Sequence, residues 1–98
     1  NDFYSRVRNW ATLRNLYKEG DVKTQFAKLV EEVGELAKGV VDDNDALIKD
    51  SIGDIVVVLV NLSYLQGTSI EICEELAWND IKDRKGKMIN GTFVKEVL

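Results

Sequence analysis

Glu31, Glu32 and Glu35 fall within five positions of an amphipathic helical pattern, and Asp50 and Asp54 interrupt an apolar run about twenty residues later. Carboxylates three or four residues apart project from one side of a helix. At about 100° per residue, Glu32 and Glu35 lie within about 60° of each other, and Asp50 and Asp54 within about 40°. Asn61, seven residues after Asp54, returns to the same stripe and is a candidate substrate contact. Two such helices laid side by side would gather four or five negative charges in a small volume, which only a cation can neutralise. Hard divalent ions such as Mg²⁺ take oxygen ligands and usually bring a substrate phosphate with them. The spacing therefore points to metal-assisted phosphate chemistry.

An isolated Glu-Glu-x-x-Glu is most often a solvated helix face. The second cluster changes that balance, because burying unpaired carboxylates costs on the order of several kcal/mol each. No lysine or arginine follows Lys49 on the helix that carries Asp50 and Asp54. Lys28, four residues before Glu32, reads first as a helix-surface ion pair and second as a substrate contact. Asn79, Lys82, Arg84, Lys85 and Lys87 gather near the end of the last helical pattern. Cations favour helix C-termini in any case, which explains about half of that cluster, and phosphate binding is the reading for the rest. Trp10, Trp78 and Tyr64 read as core or interface aromatics before nucleobase platforms. Cys73, on an apolar face, reads as inert filler.

The 98-residue chain is the size of one small domain, expected to span 1–98. With 45% hydrophobic and 31% charged residues it has the composition of a folded globular protein. Long apolar stripes on so short a helical chain predict burial against another copy. A net charge of −4 offers no basic field for polymeric nucleic acid. A single cysteine excludes an intrachain disulfide, and with no histidine the carboxylates must do any acid-base or metal work. Neither a membrane span nor a signal peptide is evident, so a cytoplasmic location is the default expectation.

The absence of proline and four windows of helical periodicity predict an all-α, four-helix bundle-like fold. Helices are expected at about 2–18, 21–41, 44–66 and 68–86. Gly20 and Gly67 act as stops, and Asp21 and the 42–45 turn supply caps. In the second helix Phe26, Leu29, Val30, Val33, Leu36, Ala37 and Val40 form the expected core stripe, with the glutamates on its flank outside the dry core. Ile55 to Val60 could be a buried strand, but the length of the pattern favours a central helix. Thr68 and Glu71 suggest a capping box for the fourth helix, with Ile72, Cys73, Leu76, Ala77 and Ile81 facing inward. Asn90-Gly91 predicts a short hairpin over 87–94.

The run Glu31-Glu32-Val33-Gly34-Glu35-Leu36, followed by Ile52-Gly53-Asp54-Ile55 leading into an apolar helix, resembles the MazG-like branch of the all-α nucleoside triphosphate pyrophosphohydrolases. The stretch from Trp78 to Lys87 is similar to the end of the small, single-domain, phage- or integron-type members. The resemblance implies Mg²⁺-dependent hydrolysis of a nucleoside triphosphate to a monophosphate and pyrophosphate, with Mn²⁺ as the alternative ion. It implies that Glu32, Glu35 and Asp54 hold the metal and that Glu31 orients or deprotonates the attacking water. Asn79, Lys82 and Arg84 would face the phosphates. The family's second motif reads Glu-x-x-Asp, whereas this chain has Ser51 at the first position, so either Asp50 or a water takes the fourth carboxylate's place. A homodimer or homotetramer with sites at subunit interfaces is also implied. The related phosphoribosyl-ATP pyrophosphohydrolases match less well. From another class, a catalytically weak helical module that binds nucleotide or protein is the competing reading.

Overall fold

The computed structural model describes residues 2–96, so Asn1, Val97 and Leu98 at the ends of the expected domain lie outside the described residues. Its elements run α1 (Asp2–Leu13), α2 (Leu16–Glu19), α3 (Val22–Val41), α4 (Asp45–Leu65), α5 (Ile70–Ile81), β1 (Gly86–Ile89) and β2 (Thr92–Lys95). The protein is all-α apart from a C-terminal hairpin.

The expected first helix is broken in two. Arg14 and Asn15 donate to the carbonyls of Ala11 and Thr12 in tightened turns, and Asn15 is left-handed with φ 61°. Asparagine tolerates that region better than other non-glycine residues. The break re-aims Tyr17, which stacks on Tyr64 with ring centroids 4.1 Å apart and donates its hydroxyl to Asn61 Oδ1 at 2.7 Å.

Asp21 and Asn44 cap α3 and α4, accepting from the amides of Thr24 at 2.7 Å and Leu47 at 3.1 Å. The α5 cap is Ser69 rather than Thr68, its Oγ accepting from Ile72 N at 3.2 Å. That frees Glu71 from a capping box and lets it pair with Arg8. α5 ends at Ile81, earlier than the expected Gly86, because the chain turns into β1. The hairpin pairs Gly86 with Lys95 through Ile89 with Thr92, and Asn90 and Gly91 both take positive φ, as a type I′ turn requires.

α3 and α4 pack along most of their length. Their approach is close at Gly39, where a Cβ would lie 3.1 Å from the Ile48 side chain and 3.2 Å from its backbone nitrogen. The covered face of α3 keeps only Leu29 and Leu36 of the expected stripe. It carries Gln25, Leu29, Glu32, Leu36 and Gly39, at alternating spacings of four and three, with Glu32 and Gly39 buried. The parallel line one residue on, Phe26, Val30, Val33, Ala37 and Val40, is exposed, with Phe26 57% accessible. Ile72, Cys73, Leu76, Ala77 and Ile81 of α5 are likewise exposed rather than inward-facing.

Among the described residues the buried apolar side chains are Val7, Ala11, Val58 and Val60. The accessible surface is 7403 Å², against about 5,650 Å² for a folded monomer of 11.1 kDa. The radius of gyration is 16.2 Å, against about 12.6 Å for a compact chain of this length. The chain is thus less compact than a folded monomer of its size, and it leaves large apolar side chains such as Phe26, Leu76 and Trp78 exposed.

Candidate metal and nucleotide site

Glu32 and Glu35 come from the middle of α3, and Asp54 from the turn of α4 that crosses it. One carboxylate oxygen from each lies within 4.8 Å of the others. Because the covered seam of α3 runs through Glu32, this carboxylate is driven into the α3–α4 interface, only 6% exposed, while Glu35 stays open to solvent. The expectation that the acidic cluster sits wholly outside the dry core therefore fails at Glu32. Glu32 Oε2 is buried with no hydrogen-bond partner. Burial raises the Asp54 pKa, and the neighbouring charges of Asp50, Glu32 and Glu35 add to the shift. An orphaned buried oxygen, a carboxyl group disfavoured as an anion and an all-oxygen donor set fit a hard divalent cation.

The only cation in contact with Glu32 among the described residues is Lys28, whose Nζ lies 3.3 Å from Glu32 Oε1 and 3.5 Å from Glu31 Oε2. The hydrogen bond to Glu32 and the charges of both glutamates raise the Lys28 pKa. Glu31 is exposed on the rim.

Asp50 is exposed one turn before Asp54, outside the trio of converging oxygens but close enough to add to the charge Asp54 feels. Ser51 lies on the buried side of α4, and its hydroxyl has no hydrogen-bond partner. Asn61 is 2% exposed, and its Oδ1 is committed to Tyr17.

Asn79, Lys82 and Arg84 are not brought to the cluster within one chain. α4 and α5 are bent by 102° at their junction, and at 1.5 Å per residue Asp54 and Lys82 each lie about 20 Å from that bend. Their backbones are therefore on the order of 25 Å apart. Arg84 pairs locally with Asp80 at 2.6 Å. No single helix among the described residues is long and apolar enough to cross a membrane.

Sequence reasoning missed the network that holds α1 against α5. Arg8 donates two hydrogen bonds to Glu71, at 2.8 and 2.7 Å, and Tyr4 donates to Glu74 at 2.7 Å. The Arg8 guanidinium holds the Glu71 carboxyl down at about 2. Partners more than sixty residues apart leave no periodic trace in a single sequence.

The profile of the MazG nucleotide pyrophosphohydrolase domain matches residues 21–87, which spans α3, α4, α5 and the start of the hairpin. An uncharacterized 18.2 kDa protein in the rep-hol intergenic region of Haemophilus phage HP1 (strain HP1c1) is 47% identical over 57 residues. That alignment covers 58% of this chain and 35% of the phage protein, so the chain spans about a third of the length of this curated relative. No solved structure gives a significant match. With the profile covering well over half of its residues, the chain belongs to the MazG nucleotide pyrophosphohydrolase domain family.

Proposed function

We propose that the protein hydrolyses nucleoside triphosphates between the α and β phosphates, releasing a monophosphate and pyrophosphate, with Mg²⁺ as cofactor and Mn²⁺ as the alternative. The observation that carries this reading is the convergence of Glu32, Glu35 and Asp54 within 4.8 Å. These three carboxylates hold the metal. When bound, the ion supplies charge neutralisation at the phosphate oxygens. Glu31, exposed on the rim, orients or deprotonates the attacking water, a task a carboxylate performs at near-neutral pH without histidine. Asp50 reaches the site through a water rather than directly, taking the position that Ser51 leaves without a carboxylate. Asn61 supports the site through Tyr17.

Asn79 and the cationic Lys82 and Arg84 meet the phosphates from a second copy of the chain, which the separation of about 25 Å from Asp54 within one chain favours. A homodimer or homotetramer also accounts for the uncovered apolar line on α3. The substrate is a free nucleotide in the cytoplasm rather than a polymer or a membrane, in keeping with the acidic surface. The role is removal of non-canonical or excess nucleotides.

Buried Ser51, where the family motif has glutamate, favours a second reading: a module that binds nucleotide or protein and turns over weakly. The test is a panel of NTPs and dNTPs incubated with and without Mg²⁺. Turnover that stops on chelation supports the enzyme, and metal-dependent binding without turnover supports the module.

A further inference from the structure

We propose that the groove between α1 and α4, lined by Phe3, Arg6, Val7, Trp10 and Val57, seats the nucleobase of the substrate; this rests on the pyrophosphohydrolase reading of the acidic cluster. The groove is an open hollow of about 390 Å³ and carries one charged wall residue, Arg6. Val57 follows Asp54 by three residues on α4, so the groove wall begins about 4.5 Å along the helix and about 60° around it from a metal-holding carboxylate. That is the offset a ribose bridges between an α-phosphate on the metal and its base.

The wall supplied by α1 is fixed in place. Phe3, Val7 and Trp10 share one face of the helix, while Tyr4 and Arg8 on another face bind Glu74 and Glu71 of α5. The Arg14 guanidinium lies 4.5 Å from the Trp10 ring centre and pins the indole, which is 46% exposed. Stacking on Trp10, with Arg6 as a donor to a ring carbonyl, is the recognition such walls provide. On this proposal Trp10 is a base platform rather than a core residue, in keeping with its exposure.

The test is steady-state pyrophosphate release by wild type, Trp10→Ala, Trp10→Phe and Val57→Phe, with tryptophan emission followed in a Trp78→Phe background. The expected result is a KM raised about tenfold in Trp10→Ala and Val57→Phe, kcat little changed, and near wild-type behaviour in Trp10→Phe. Nucleotide with Mg²⁺ should quench Trp10. Wild-type turnover with unchanged KM in both groove variants and no quench overturns the base seat alone. A change of oligomeric state in Trp10→Ala with KM unchanged assigns the groove to a second copy and also overturns it. Absence of turnover by the wild type, with metal-dependent quenching retained, overturns the reaction but keeps the seat.

Discussion

Lys28 stands 3.3 Å from the carboxylate of Glu32, which is otherwise buried against α4 with one oxygen unpartnered. In the metal-free protein this ammonium is the nearest counter-charge to the acidic cluster. Replacing it with methionine leaves Glu32 buried and unpaired. Because Lys28 is itself about half exposed, the expected loss is about 1 kcal/mol rather than the larger figure for a fully buried pair. Thermal unfolding of Lys28→Met should begin several degrees lower without metal, and millimolar Mg²⁺ should narrow the gap. A gap that metal leaves unchanged would separate Lys28 from the cluster.

Asp54 makes the pH dependence of the apo protein unusual in sign. Burial and then the neighbouring carboxylates raise its pKa. Its stabilising contribution is therefore complete below the unfolded value near 3.8 and is lost as pH rises through the raised folded value. Asp54→Asn should unfold at a higher temperature than wild type at pH 7 in the absence of metal, with the advantage gone near the unfolded value. The same substitution should lower kcat by about 10²-fold or more. Calorimetry with chelator across pH 3.5–8, paired with an activity assay, checks both halves.

The Arg8–Glu71 pair runs the other way. Glu71 is held at about 2 against an ordinary 4.5, so its contribution is present above 4.5 and is lost as pH falls through about 2. Arg8→Met should destabilise the fold at pH 6–8, and the difference from wild type should shrink as the medium is acidified toward pH 2. Unfolding midpoints measured across that range test it. α1 should also loosen from α5, visible as faster amide exchange in residues 2–13.

Val33 lies on the exposed apolar line of α3, on the side of the helix away from Glu32 and Glu35. A charge there, Val33→Glu, should convert an oligomer to monomer and lower stability while the acidic cluster itself is untouched. Light scattering on the eluting protein reads the mass. An unchanged oligomer would mean that copies meet through another face.

The sequence made the carboxylate site legible because helical spacing alone aligns Glu32 with Glu35 and Asp50 with Asp54, and tertiary packing then selects Glu32, Glu35 and Asp54. It did not reveal which of two adjacent lines on α3 would be covered. Phe26, Val30 and Val33 are the more apolar set, yet the line through Glu32 packs on α4. Periodicity identifies faces but does not say which neighbour meets them, and this chain carries more apolar faces than one copy covers. The break at Asn15 was hidden for a different reason: one left-handed residue costs little and leaves no mark on hydrophobic spacing. The 102° turn into α5, which carries Lys82 and Arg84 away from the cluster, is likewise a matter of loop geometry.

The central claim is bond-specific hydrolysis at the cluster of Glu32, Glu35 and Asp54. Phosphorus NMR of a nucleoside triphosphate incubated with the protein and Mg²⁺, alongside Glu35→Gln, tests it most directly. The account predicts that monophosphate and pyrophosphate signals grow together in the wild type and are absent in the variant and under chelation. Orthophosphate with a diphosphate, or equal product from Glu35→Gln, would contradict it.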